Sequence, residues 1–260
     1  MKGVATLSVF FAVVLLLTFT QDAIALNCLS QRVLLSLSSN DEKVQEMLID
    51  LELIAATLDT KQMSEFEDKV RTLIKDKSKE FMVHYLVARG YTIGAEYSDF
   101  KNDKKKAEEF LEKGLESVKK SIKLKGDFSD SHRLAGDLYN WLIDFKFAPL
   151  YGPIYASKAD KFLVKAKQYD SSNPEVYLAE ARKYLYTPIL LGGSRRKAME
   201  LFKKAVDICP DYYNARLWLG RGYIDRGLIE EGEKSFEKAL LIEPNGYMAK
   251  EELKKIKNKR

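Results

Sequence analysis

The sequence of 260 residues contains only two cysteines, two histidines and six prolines. Two cysteines exclude a disulfide-rich scaffold and a zinc site with four cysteine ligands. Two histidines leave little material for histidine-based catalysis or metal binding, and the few prolines exclude collagen-like and proline-rich low-complexity chains. The sequence also lacks the metalloprotease, nucleophile-elbow and dinucleotide-binding motifs. We therefore predict a protein that is not an enzyme, has no catalytic residues and binds neither a cofactor nor a metal.

The residues that are present have the composition of an ordinary globular protein. Hydrophobic residues make up 46% of the sequence, charged residues make up 31%, and the formal net charge is +5. This balance carries no signature of disorder, and the length is sufficient for a sizeable core.

The first 25 residues have the pattern of a secretory signal peptide. Positions 4–20 carry no charged residue, Lys2 supplies a positive flank, and positions 23–25 read Ala-Ile-Ala, a small-x-small cleavage site. We expect cleavage after Ala25 and export to the periplasm or cell envelope. An uncleaved membrane anchor and lipidation of Cys28 are the alternatives.

Export would place both cysteines in an oxidising compartment. A disulfide between Cys28 and Cys209 is compatible with that compartment, and two unpaired thiols are the alternative.

The chain after position 41 has helical periodicity and repeats a pattern of small and large residues four times. A small residue is followed three positions later by tyrosine at Ala88/Tyr91, Gly136/Tyr139, Ala181/Tyr184 and Gly220/Tyr223. Two small residues seven positions apart follow each time, at Ala107/Gly114, Ala159/Ala166, Ala198/Ala205 and Gly232/Ala239. Small residues at these spacings let two antiparallel helices approach closely. The pattern therefore predicts an all-α protein built from helix pairs, A and B.

These residues resemble the tetratricopeptide repeat family, most closely in the last unit. That unit contains Leu219, Gly220, Tyr223, Gly227, Gly232, Phe236, Ala239 and Pro244. Pro210 and Pro244 lie 34 positions apart, which matches the family's period of about 34. The resemblance implies a right-handed superhelical solenoid of about four repeats, with an N-terminal helical hairpin and a C-terminal capping helix.

The resemblance also implies a division of the chain. After the signal peptide we expect an N-terminal hairpin or cap over 26–78, a degenerate first repeat over 79–126, a second repeat with an aromatic insertion over 127–173, a third over 174–210, a fourth over 211–245 and a terminal helix over 246–260.

Three repeats are longer than the last one. The small residue of helix A and the first small residue of helix B are 12 positions apart in the last unit, and 19, 23 and 17 apart in the first three. We expect these insertions of 7, 11 and 5 residues in the A–B turns, along one edge of the solenoid, where insertions often mark a binding face. In the third of these turns, Pro188 predicts a helix stop and Ser194 predicts the N-cap of a helix ending at Ile208.

The resemblance places the position after the small residue of helix A in the concave groove. That position and its neighbourhood hold Arg89, Arg133, Asp137, Arg182 and Arg221. Arginines in one slot along a groove are suited to an acidic partner segment. The alternative is that they are solvated or paired with Asp137 and with acids of neighbouring repeats.

The insertion of the second repeat is rich in aromatic residues: Trp141, Phe145, Phe147, Tyr151 and Tyr155. Such a segment predicts a hydrophobic pocket or a partner-binding lip, and the alternative is an extension of helix A that packs inward.

We interpret the sequence as an exported, non-enzymatic module that binds a protein or peptide segment in its groove or along the inserted turns. The alternative is a solute-binding accessory subunit of a periplasmic transporter, suggested by a distant resemblance to the helical-repeat subunit of tripartite transporters. Export argues against nucleic acid as a partner. Membrane contact is expected only if the signal segment is uncleaved or Cys28 is lipidated.

Overall fold

The computed structural model describes residues 46–48, 50, 51, 54 and 80–258. Over 80–258 the chain forms helices and no strand. The α-helices are α1 (Glu80–Phe100), α2 (Lys104–Leu124), α3 (Ser129–Leu142), α4 (Ala148–Tyr169), α5 (Pro174–Tyr186), α6 (Arg195–Ile208), α7 (Tyr213–Asp225), α8 (Ile229–Ile242) and α9 (Tyr247–Lys257), and a 3₁₀ turn covers Ile189–Leu191.

The predicted signal peptide and Cys28 lie outside the described residues, as does most of the N-terminal hairpin. Of that hairpin, the described residues Met47, Leu48, Leu51 and Ile54 are buried in the same core as α1–α4. None of the described helices is long and apolar enough to span a membrane.

The helices pack as consecutive pairs, α1 with α2, α3 with α4, α5 with α6 and α7 with α8, and α9 packs against α8. The first helices of successive pairs also contact one another, from α1 to α3 to α5 to α7. These four inner helices therefore line the concave side. The predicted all-α solenoid of helix pairs is confirmed.

The small residues of the repeat pattern lie where paired helices come closest. A Cβ atom at Gly220 would lie 2.4 Å from the Phe236 ring, and one at Gly136 would lie 2.8 Å from Leu163. Both contacts are shorter than van der Waals separation, so each glycine permits a large apolar residue of the second helix to fill the seam.

The insertions do not all fall in the turns, which corrects the expectation from spacing. Helix α1 continues 12 residues past Ala88, whereas α7 ends 5 residues past Gly220, so the first insertion lengthens α1. Ile93 and Ala95 are buried in this extension, so it packs against the rest of the chain. After α1 ends, Asn102 adopts a left-handed conformation with φ of 59°. The next helix, α2, is capped by Asp103, whose side chain accepts a hydrogen bond from the amide of Lys106.

The other two insertions take different forms. Helix α4 begins 11 residues before Ala159, whereas α8 begins 3 residues before Gly232, so most of the second insertion lengthens α4. Only the third lies in a turn, at 187–194, and there Ser194 caps α6 by accepting a hydrogen bond from the amide of Lys197, as predicted. The A–B turns at 101–103, 143–147, 187–194 and 226–228 form one edge of the solenoid, called the A–B rim below.

Candidate functional site

The arginines predicted to face a partner are ion-paired within the chain. Arg182 on α5 donates from Nη2 to both carboxylate oxygens of Asp137 on α3, at 2.7 Å each. Arg133 on α3 lies 3.2 Å from Asp137 Oδ2 and 3.4 Å from Glu175 Oε2 on α5. Two of the predicted groove arginines therefore join neighbouring inner helices.

The same arrangement continues at the C-terminal end. Arg221 on α7 donates from Nε to Glu252 on α9, at 3.1 Å. Arg89 on α1 is buried, and its positive charge helps to lower the pKa of Glu175. We call the paired residues the inner ion-pair row; they are Arg133, Asp137, Glu175, Arg182, Arg221 and Glu252.

The buried members of the row remain charged because they are close to opposite charges. Burial by itself would raise the pKa of Glu175, but the guanidinium groups of Arg133 and Arg182 hold that pKa below its usual value. The hydroxyl of Tyr212 also donates to Glu175 and favours its ionised form. Burial opposes the charge of Arg133, but the neighbouring acids Glu175, Asp137 and Asp130 contribute to a combined effect that outweighs it and raises the pKa of Arg133.

The extension of α1 brings another acid to this region. Burial raises the pKa of Glu96, and the positive charges of Arg221 and Arg182 oppose that rise. The end of the same extension contacts the terminal helix, where the Phe100 and Tyr247 rings meet edge to face with centroids 5.2 Å apart. The extra turns of α1 therefore reach toward α7 and α9. They form a boundary of the inner surface at the C-terminal end of the solenoid.

An aromatic and arginine cluster lies at the C-terminal half of the inner surface. The guanidinium carbons of Arg182 and Arg221 lie 5.1 and 4.7 Å from the ring centroid of Trp218. Tyr186 meets Trp218 edge to face at 6.2 Å, and 68% of Tyr186 is exposed. We call these four residues the Trp218 platform.

The repeat register predicts the arginines of this platform as site residues, but not Tyr186 and Trp218. The signal that would find them is spacing, since Tyr186 lies four positions after Arg182 and Trp218 lies three positions before Arg221. Residues at these separations share one face of a helix.

The aromatic insertion divides into two groups. Trp141, Phe145 and Tyr155 pack partly buried against the core of the first two repeats. Phe147 and Tyr151, at the start of α4, are exposed. The five aromatic side chains therefore form no single pocket, and the exposed pair lies on the A–B rim.

Cys209 and His132 are both buried. Cys209 is fully buried and is not a free thiol, while its predicted partner Cys28 lies outside the described residues, so the pairing stays a prediction. His132 Nε2 lies 2.7 Å from the Gly126 carbonyl oxygen, and burial lowers the pKa of this imidazole. Within the described part of the chain, no group of three or more His, Cys, Asp or Glu residues could hold a metal.

Comparison with known proteins supports the class of fold. Residues 213–245 match the family model described as tetratricopeptide repeat, which confirms the resemblance in the fourth repeat. A thermophilic tetratricopeptide-repeat protein of Thermus thermophilus superimposes with a TM-score of 0.58 at 18% identity, over 81% of this chain and 98% of that chain. The chain thus has the fold of tetratricopeptide proteins, which generally act as protein-interaction scaffolds.

Two further solved structures superimpose with lower TM-scores. The HusA haemophore from Porphyromonas gingivalis gives a TM-score of 0.49 at 19% identity, over 75% of this chain and 91% of that chain. A MamA structure gives 0.39 at 20% identity, over 70% and 90% of the two chains. A search of curated protein sequences finds no match to this chain.

Proposed function

We propose that the protein is an exported, non-enzymatic scaffold that binds a segment of a protein partner at the Trp218 platform. The carrying observation is the clustering of Trp218, Tyr186, Arg182 and Arg221 on adjacent inner helices, with Tyr186 largely exposed. Tryptophan, tyrosine and arginine are the residues that most often dominate binding energy at protein interfaces.

The platform favours a partner segment that carries both an acidic and an apolar group. Each guanidinium has five N–H donors, and the hydrogen bonds to Asp137 and Glu252 use only Nη2 of Arg182 and Nε of Arg221. The side chains of Arg182 and Arg221 are 21% and 19% exposed, so a carboxylate of the partner would accept hydrogen bonds at their exposed edge, while the rings of Tyr186 and Trp218 offer apolar surface. An acidic segment without apolar groups would have to compete with Asp137 and Glu252 for the two arginines, and it would gain no contact with the rings.

The N-terminal sequence supports the part of the proposal that concerns export. An uncharged stretch at 4–20 followed by a small-x-small site at 23–25 is typical of a secreted precursor. The form that binds the partner would then begin at Leu26.

A binding comparison tests the platform. The mature form, residues 26–260, is immobilised and exposed to envelope extract beside Tyr186→Ser and Leu241→Ser variants. Leu241 is the matched control because it is 82% exposed on α8, away from the platform. We expect a protein partner that the wild type and Leu241→Ser retain and that Tyr186→Ser binds at least about tenfold more weakly. Equal capture by all three forms would place the binding surface elsewhere, and an absence of any captured protein would contradict the scaffold.

A further inference from the structure

Exposed apolar side chains are concentrated at the third A–B turn. Ile189, Leu190 and Leu191 follow one another in the 3₁₀ turn, and all three are exposed, Leu190 to 97%. Exposed apolar residues on soluble proteins are usually scattered singly, and a contiguous group marks a contact surface.

A second exposed apolar group lies on the neighbouring A–B turn. Phe147, Leu150 and Ile154 are exposed at the beginning of α4, with Phe147 exposed to 69%. The α3–α4 and α5–α6 pairs are consecutive repeats, so their A–B turns are neighbours on the rim. The two groups together are called the apolar rim: Phe147, Leu150, Ile154, Ile189, Leu190 and Leu191.

The charged residues within the two segments that carry the apolar rim are basic, and Asp144 in the second A–B turn is an acid directly before the first of them. Positions 145–159 and 181–199 contain no acidic residue, and both segments contain basic ones. Arg195 and Arg196 directly follow the third turn. Arg195 forms an ion pair with Asp225, and Arg196 forms one with Glu200. Both guanidinium groups are nevertheless largely exposed. Their remaining N–H groups can donate to phosphate.

The first A–B turn extends this positive region, and the fourth A–B turn ends it. At the first A–B turn, Lys101, Lys105 and Lys106 extend it beside the acids Asp99 and Asp103. At the fourth turn Glu230 and Glu231 end it. Lys146, beside Phe147, is neutralised by Glu108 and Glu112. The positive charge therefore comes from the first and third turns, on both sides of the α4 apolar group.

We propose that the apolar rim binds the surface of an anionic lipid bilayer. Leu190 is almost completely exposed at the tip of a turn, a geometry suited to insertion among acyl chains. Aromatic residues such as Phe147 and Tyr151 favour the membrane interface, and flanking arginine and lysine residues are attracted to anionic headgroups. This contact needs neither an uncleaved signal segment nor a lipidated cysteine, and it is independent of the Trp218 platform.

Vesicle sedimentation tests the proposal. The mature form is mixed with vesicles of phosphatidylcholine alone, or of phosphatidylcholine mixed with phosphatidylglycerol. The Leu190→Ser/Leu191→Ser variant is compared with Leu241→Ser, a similarly exposed leucine away from the rim. All these side chains are exposed, so the variants are expected to fold, and circular dichroism checks this.

We expect the wild type and Leu241→Ser to bind vesicles that contain phosphatidylglycerol. The double variant should bind them at least about tenfold more weakly, and binding to pure phosphatidylcholine should be weaker as well. Failure of the wild type to sediment with either vesicle would overturn the proposal. So would equal binding of the double variant. If the double substitution instead abolished capture of a protein while vesicles remained unbound, the rim would be a protein interface and the lipid proposal would be wrong.

Discussion

At the scale of single residues, Gly220 sets the distance between the two helices of the fourth repeat. The Phe236 ring, itself fully buried, occupies the space where a side chain at position 220 would begin. The separation of 2.4 Å from a Cβ atom to that ring could be relieved only by moving Phe236 or the helix.

Replacement of Gly220 by alanine is therefore expected to lower the free energy of unfolding by about 1–3 kcal/mol. Chemical denaturation of the variant measures this change. Gly126 provides the control because a Cβ atom there meets only the Ile122 carbonyl oxygen at 3.7 Å, an ordinary van der Waals contact, and alanine should change the free energy of unfolding little. Unchanged stability of Gly220→Ala would show that the repeat register is wrong at this position.

Contacts within one repeat can be predicted from the sequence, and contacts between repeats cannot. The register of small residues predicted that Gly136 and Gly220 lie where two paired helices approach closely, because both helices of a pair belong to one repeat. The partners of Arg182 and Arg221 lie on a neighbouring inner helix and on α9, and spacing within one repeat carries no information about them. Pairing with acids was the alternative interpretation of these arginines, and the described contacts match it.

At the scale of helices, the inner ion-pair row joins one repeat to the next. The pair of Arg182 with Asp137 connects α5 to α3, and both side chains are mostly buried. Loss of either partner leaves the other charge in a poorly solvated place, which destabilises the fold more than loss of a surface pair does.

We expect Arg182→Gln to lower the free energy of unfolding by about 1–3 kcal/mol, and the double variant with Asp137→Asn to lose less than the sum of the single variants. A double-mutant cycle measured by denaturation gives this coupling energy. Arg196→Gln is the control, because its pair with Glu200 is exposed and should contribute about 0–1 kcal/mol. Additive effects of the two inner substitutions would refute the idea that the pair joins the repeats. Since such substitutions affect folding, Tyr186→Ser is the cleaner test of binding.

The predicted positions of two insertions were wrong because an insertion can lengthen a helix instead of a turn. The distance between two repeat signatures counts the inserted residues, but it does not say whether they extend a helix or lengthen a turn. The first insertion contains buried apolar residues, Ile93 and Ala95, and became part of α1. The third contains a proline and two adjacent glycines, which stop a helix, and it became a turn.

At the scale of the whole molecule, the lengthened α1 and the terminal helix meet through Phe100 and Tyr247, so the first repeat and α9 lie close together. The solenoid then presents two different surfaces. One is the Trp218 platform on the inner helices, and the other is the apolar rim on the turns. The repeat pattern predicted the architecture, whereas both surfaces depend on which side chains remain exposed after packing, and a sequence pattern does not give that.

In the proposed function, the inner surface at the Trp218 platform contacts a protein partner. Site-directed photo-crosslinking in living cells tests it most directly, with a photoreactive amino acid at position 186 and, as a control, at position 241. We predict that a discrete protein adduct forms from position 186 and not from position 241. Adducts from both positions alike, or none from position 186, would contradict the account.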